Sequence, residues 1–179
     1  IAKTGQAPKW NFHKYLVGRD GRVLSAYPSR VEPLERQLLQ DVERTARALL
    51  THFEPGEHIA VFAPNSAEWL LLELGAGLAG LVLVTVNPAY RAKELEYVLR
   101  QSRSTGVFYT RQFRGNPLDR WVDETRPSLP QLRHAFIMDD WDSFLASAAA
   151  GSGFPEVAPD DPAQIQYTSG TTGSPKGAL

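Results

Sequence analysis

From residue 58 onward the chain switches repeatedly between short apolar runs of strand length and longer segments of helical character. That alternation limits the fold more than any other feature. Residues 58–63 read as a strand, 66–80 as an almost wholly apolar helix and 81–86 as a strand of continuous apolar character. A helix over 92–103, a strand over 106–110, a helical segment over 118–126, a strand over 134–138, a helix over 141–149 and a last strand over 164–168 follow. Strands separated by helices are long enough apart to pair in parallel, and a parallel sheet is covered on both faces. The run 81–86 suits a strand buried on both sides. The expected class is therefore α/β, with alternating β/α units and a mainly parallel sheet.

A different pattern precedes it. Residues 12–17 and 22–27 read as two strands, and Asp20-Gly21 between them is a strong hairpin signal, because a tight primed turn needs residues that tolerate φ > 0. Pro28 ends the second strand. Over residues 34–50, Leu34, Leu38, Leu39, Val42, Ala46, Leu49 and Leu50 repeat at helical spacing, with Glu35, Arg36, Gln40, Asp41, Glu43, Arg44 and Arg47 on the other face. This predicts an amphipathic helix, with Pro55-Gly56 closing the connection after it. Residues 151–162, rich in Gly, Pro and Asp, read as a linker.

Composition narrows the function. The chain has 179 residues, 42% hydrophobic and 22% charged, with a net charge of −1. Nothing in that balance argues for a nucleic-acid or anionic-membrane partner. The absence of cysteine excludes a disulfide, a thiolate zinc site and a cysteine nucleophile, and suits a reducing cytoplasm. The most apolar stretch, residues 69–86, is broken by Glu73, Gly75, Gly77 and Gly80, so no membrane span is expected. The chain begins at Ile1 rather than Met and ends two residues beyond a glycine-rich loop, and both ends are expected to be cut.

That loop carries the chemistry. Residues 167–177 read YTSGTTGSPKG. Gly170, Gly173 and Gly177 allow backbone conformations that aim successive N–H groups into one concavity, an anion nest. Thr168, Ser169, Thr171, Thr172 and Ser174 have hydroxyls to donate to phosphate oxygens, and Lys176 adds a positive charge. The loop leaves the end of an expected parallel strand, where open α/β sheets bind ligands. A flexible Ser/Gly linker does not place one proline and one lysine in a fixed frame after a strand. The nucleotide-triphosphatase P-loop needs Gly-Lys-Ser/Thr and an immediate helix, whereas Pro175 and Gly177 flank the lysine here.

The segment TSGTTGSPKG resembles, without a gap, the signature loop of the adenylate-forming superfamily of acyl-CoA synthetases, luciferases and peptide-synthetase adenylation domains. Residues 54–69, EPGEHIAVFAPNSAEW, and 79–90, AGLVLVTVNPAY, are similar to the N-terminal region of acyl-CoA synthetases. Residues 84–99, with Asn87-Pro88 and Glu94-Leu95-Glu96-Tyr97, resemble the fatty-acyl branch. The resemblance implies a two-step reaction. A carboxylate attacks the α-phosphate of Mg-ATP to give an acyl-adenylate and pyrophosphate, and the acyl group then passes to the thiol of coenzyme A. By that resemblance Thr168, Ser169, Gly170, Thr171, Thr172, Gly173 and Lys176 hold the ATP phosphates. ATP, Mg2+, coenzyme A and a small-molecule carboxylate, a fatty acid, are the implied cofactors and partners. The adenine contacts, metal-binding acid, acyl pocket and C-terminal catalytic lysine of that family have no counterpart in this stretch. The chain alone is thus expected to be an inactive fragment, a partial N-terminal domain over residues 43–179. The alternative is a non-catalytic module that binds a nucleotide weakly.

Residues 8–24, PKWNFHKYLVGRDGRVL, are similar to the C-terminal hairpin of glutathione peroxidases, in which a Trp-Asn pair, here Trp10 and Asn11, borders the redox site. Without a cysteine that chemistry is excluded. The two resemblances together suggest a hairpin–helix segment over 1–42 joined to the ligase-like part, with the seam expected in residues 34–46.

The remaining candidates read as structural. His13, His52, His58 and His134 lack metal-ligand spacing, Asn65 suits a helix N-cap and Asn87-Pro88 a strand-ending turn. The arginines 100, 103, 111, 114, 120, 126 and 133 read as a solvated surface. Asp139 and Asp140 read as acids at a helix start.

Overall fold

The computed structural model describes residues 14–17, 23–27, 36–149, 153–168 and 175–179. Strands β1 (Lys14–Val17) and β2 (Val23–Tyr27) pair antiparallel, with Lys14 opposite Tyr27. The turn predicted at Asp20-Gly21, Trp10, Asn11, His13 and Pro28 lie outside the described residues. Helix α1 (Arg36–His52) follows and buries Val42, Thr45, Ala46, Ala48 and Leu49, the stripe its periodicity predicts.

The alternation then unfolds as expected. Strand β3 (His58–Phe62) leads to α2 (Ala67–Leu78), β4 (Val82–Thr85), α3 (Ala92–Gln101) and β5 (Gly106–Tyr109). A small hairpin of β6 (Gln112–Phe113) and β7 (Asn116–Pro117) precedes α4 (Leu118–Thr125), β8 (His134–Ile137) and α5 (Trp141–Ala146). Strands β9 (Gln164–Thr168) and β10 (Lys176–Ala178) close the order. Among the described residues the main sheet runs β10-β9-β4-β3-β5-β8, parallel throughout except for β10.

Right-handed crossovers dictate which face each helix covers. The chain steps one way from β3 to β4, through α2, and back the other way from β4 to β5, through α3. The two helices therefore lie on opposite faces. The core divides accordingly. Ile59, Val61, Leu72, Leu83, Phe108 and Phe144 pack on the face of α1, α2 and α5. Ala60, Phe62, Val84, Leu95, Val107 and Val122 pack on the face of α3 and α4. Along β3 these residues alternate one by one, as the period of two demands. Leu81, Val82, Leu83 and Val84 are all buried, which bears out the doubly covered strand.

Several details differ from expectation. Ser66, not Asn65, is the N-cap of α2; its hydroxyl oxygen accepts from the Trp69 N–H at 3.2 Å. Although almost wholly apolar, α2 is not enclosed, and Leu70 and Leu74 are about 40% exposed. Helix α5 ends at Ala146 rather than 149, because the Ser147 hydroxyl donates to the Phe144 carbonyl at 2.6 Å and closes the last turn. The β6–β7 hairpin was not expected. Its turn residues Arg114 (φ 49°) and Gly115 (φ 81°) are both left-handed, the signature of a primed two-residue turn. The segment read as a linker is no free spacer where it is described: Phe154 packs on the core under the Arg47 guanidinium, 4.8 Å from its ring centroid. Among the described residues no helix is long and apolar enough to cross a membrane.

Candidate functional site

The glycine-rich loop bridges β9 and β10. Lys176 stands opposite Thr168, Gly177 opposite Tyr167 and Ala178 opposite Gln166, so the chain leaves the sheet at Thr168 and returns antiparallel beside it. A P-loop would turn into a helix at this lysine; here Lys176–Ala178 is extended. Of the residues expected to touch phosphate, Ser169, Gly170, Thr171, Thr172 and Gly173 lie outside the described residues, and Thr168 is described by its backbone. Lys176 is exposed at the foot of the hairpin.

The hairpin closes at its base because residue 177 has no side chain. A Cβ at Gly177 would sit 2.9 Å from Ile165 Cγ2, closer than real Cβ atoms approach, and 3.1 Å from Tyr167 Cζ, tighter than most. Gly177→Val is expected to push β10 off β9, at a cost near the low end of the roughly 1–3 kcal/mol typical of overpacking. Amide exchange at Gln166 and Ala178 would report it, and unchanged protection there would refute it.

Elements around the loop are rigidly seated. Ile165 and Tyr167 pack on the α3–α4 face together with Tyr90 and Tyr97. Burial pushes the Tyr167 phenol pKa up, and Tyr97 beside it adds to the rise. On the other face Thr85 Oγ1 donates to Gln166 Oε1 at 2.9 Å, tying β4 to β9 one step before the loop. Gln164 Nε2 reaches Glu73 Oε1 of α2 at 3.5 Å. Sequence reasoning did not single out Thr85 or Gln166; the available signals were the polar residue that closes the apolar β4 and the polar face of β9, where Gln164, Gln166 and Thr168 alternate with Ile165 and Tyr167.

Beside the loop, by the register of β4 with β9, lies the β4–α3 turn. Asn87 Oδ1 accepts from the Ala89 N–H at 2.9 Å and the Asn87 carbonyl accepts from Tyr90 N at 3.0 Å, the expected turn. The connections that leave β3 and β4 diverge to opposite faces, the arrangement with which open α/β sheets bind ligands at the carboxyl ends of their strands.

A cleft of about 370 Å³ lies at the other end of the sheet, lined by Pro55, Gly56, His58, Gly80, Pro155 and Asp161 among others. It contains no residue of the loop and is not the candidate site.

Several of the remaining candidates are engaged in local bonds. His58 Nδ1 donates to the Ser102 carbonyl at 2.6 Å. Arg100 pairs with Glu96 and donates to the Ser128 carbonyl. Arg133 forms a forked pair with Glu57 at 2.8 Å. Burial pushes the Glu57 pKa up, but the Glu54 N–H and the Arg133 guanidinium outweigh it and hold the carboxyl below its ordinary value. Asp139 accepts from the Arg111 N–H at 2.8 Å, a loop tie rather than a metal ligand. Asp140 caps α5 by position but makes no side-chain cap bond. Among the described residues no three His, Asp or Glu converge on a metal position.

Comparison with known proteins fits this geometry. The family model described as AMP-binding enzyme matches residues 36–179, all but the first 35 of 179 residues. The mitochondrial medium-chain acyl-CoA ligase ACSF2 of Rattus norvegicus is 33% identical over 172 residues, which cover 79% of this chain and 28% of that protein. A Mycobacterium tuberculosis fatty acyl CoA synthetase superimposes with a TM-score of 0.65 at 28% identity, over 79% of this chain and 28% of its own. The N-terminal domain of FACL13 from Mycobacterium tuberculosis gives 0.71 at 26% identity, over 92% of this chain and 38% of its own. The chain spans between a quarter and a third of the length of the curated relative, and it belongs to the AMP-binding enzyme family.

Proposed function

We propose that this chain is the ATP-phosphate-binding, N-terminal part of an AMP-forming fatty-acyl-CoA ligase. The observation that carries the reading is the ungapped TSGTTGSPKG loop between β9 and β10, at the carboxyl end of a parallel sheet. The amides of Ser169 to Gly173 would form the anion nest. The hydroxyls of Thr168, Ser169, Thr171 and Thr172 would donate to phosphate oxygens, and Lys176 would offset their charge. A carboxylate oxygen then attacks the α-phosphorus, the bond to the bridging oxygen breaks, and pyrophosphate leaves. The acyl carbon of the adenylate is next attacked by the thiol of coenzyme A, which releases AMP.

Pyrophosphate exchange tests the reaction. A protein carrying this domain at the full length of its relatives should move labelled pyrophosphate into ATP only when a fatty acid is present. No exchange with any acid from acetate to stearate would refute the ligase reading. The 179-residue chain alone should bind ATP without exchange.

The division into residues 1–42 and 43–179 would cut α1 in its middle, between two buried turns that form one helix. We therefore place any boundary ahead of Arg36. A reducing compartment, the cytoplasm first, suits a chain without cysteine, though the rat relative is mitochondrial by name.

A further inference from the structure

His52 ends α1 and His134 begins β8, the outermost strand of the sheet at the end opposite β10. Their rings lie 5.4 Å apart, inside a cluster of aromatic side chains. His134 stacks on Phe136, with an interplanar angle of 9°, and meets Phe53 edge-on at 5.2 Å. His52 lies 4.9 Å from Phe136 and 6.4 Å from Phe144. His52 Nε2 is 2.9 Å from Ser147 Oγ, whose only proton goes to the Phe144 carbonyl. With that proton so placed the imidazole donates from Nε2, a bond that survives protonation at Nδ1, so an acid response must come from the charge beside His134. The same placement rules out Ser147 as a nucleophile with His52 as its base, since the hydroxyl proton points away from the ring. A second bond, from the Ala149 N–H to Thr51 Oγ1 at 3.1 Å, joins the same two helix ends.

We propose that His52 and His134 form an acid-sensitive latch, which while neutral holds the end of α1, the end of α5 and edge strand β8 together and when protonated loosens that corner of the sheet. Three charged groups face the pair. Arg133 precedes His134 and is ion-paired to Glu57, and Arg126 lies after α4. Both arginines oppose a proton on His134, and the Glu57 carboxylate partly offsets them. Protonating both would place two like charges 5.4 Å apart, on half-buried rings packed against Phe53, Phe136 and Phe144.

The direction follows from these surroundings. Burial lowers the pKa of His52; burial, then His52, then Arg133 lower that of His134. A histidine depressed in the folded state adds stability that is fully present above its ordinary value of 6.5 and is lost as the pH falls from there toward the folded value. The loosening should thus begin below neutrality and deepen through mild acid.

Proton NMR of the imidazole carbons, with amide exchange on the intact 179-residue chain, tests this. Both rings should titrate below 6.5, and His52→Asn should raise the midpoint of His134. Between about pH 7.5 and about pH 5.5, after correction for intrinsic rates, protection at Phe136 and Leu145 should fall severalfold more than at Leu83 and Val84. Midpoints at or above 6.5, or an equal loss across the sheet, would overturn the latch. Should His52→Asn fail to fold, the two wild-type measurements decide alone.

Discussion

Phe108→Ala should cost about 3–5 kcal/mol, a large share of what a domain of this size has to lose. Phe108 sits in β5 and is fully buried. Its ring is 5.0 Å from Phe136 and 5.0 Å from Phe144, with Phe53 and Trp141 each at 6.4 Å. Those four rings come from β8, α5 and the residue that follows α1, so the phenyl group is shared by three parts of this face. Removing it leaves a cavity that neighbours held by their own strands and helices cannot collapse into. Urea unfolding should show a much lower midpoint with little change in slope, and Phe108→Leu should recover much of the loss. A cost under about 1 kcal/mol would mean that the aromatic cluster is not the organising core of this face.

Lys176→Ala should weaken ATP binding roughly 10- to 100-fold, the equivalent of one charge-assisted hydrogen bond. Lys176 is exposed on β10, which is itself the sheet's edge, so its removal should leave stability within about 0.5 kcal/mol. The two readouts separate a ligand contact from a structural one. Calorimetric titration with Mg-ATP gives the first and urea unfolding the second. Because the charge is solvent-accessible until phosphate arrives, the loss should shrink as salt rises. Unchanged affinity, or a loss of affinity that merely follows a loss of stability, would remove Lys176 from the phosphate site.

The sheet, its order of helices and strands, and the loop were legible because they depend on local period and on turn chemistry. Leu81 to Val86 could only be a strand covered on both faces, and it is. What escaped was set by partners far away in the chain. Lys176-Gly177-Ala178 has little strand preference of its own; it is extended because β9 offers an open edge and Gly177 lets the two backbones close. The two-residue strands of the β6–β7 hairpin are too short for any period to show, and only Arg114-Gly115 marks them. Asn65 and Ser66 are both capping residues, and the choice between them depends on where α2 is fixed by packing. The meeting of His52 with His134 follows from β8 taking the outer edge, which no local pattern states.

The central claim, that the loop rather than the cleft at the other end of the sheet receives ATP, can be read from glycine amides. Their nitrogen shifts are set apart from those of other residues, and this chain has glycines at both places. On titration with Mg-ATP, the amides of Gly170, Gly173 and Gly177 should move and saturate together while Gly56 and Gly80 stay still. Movement at Gly56 and Gly80 with a silent loop would contradict the account.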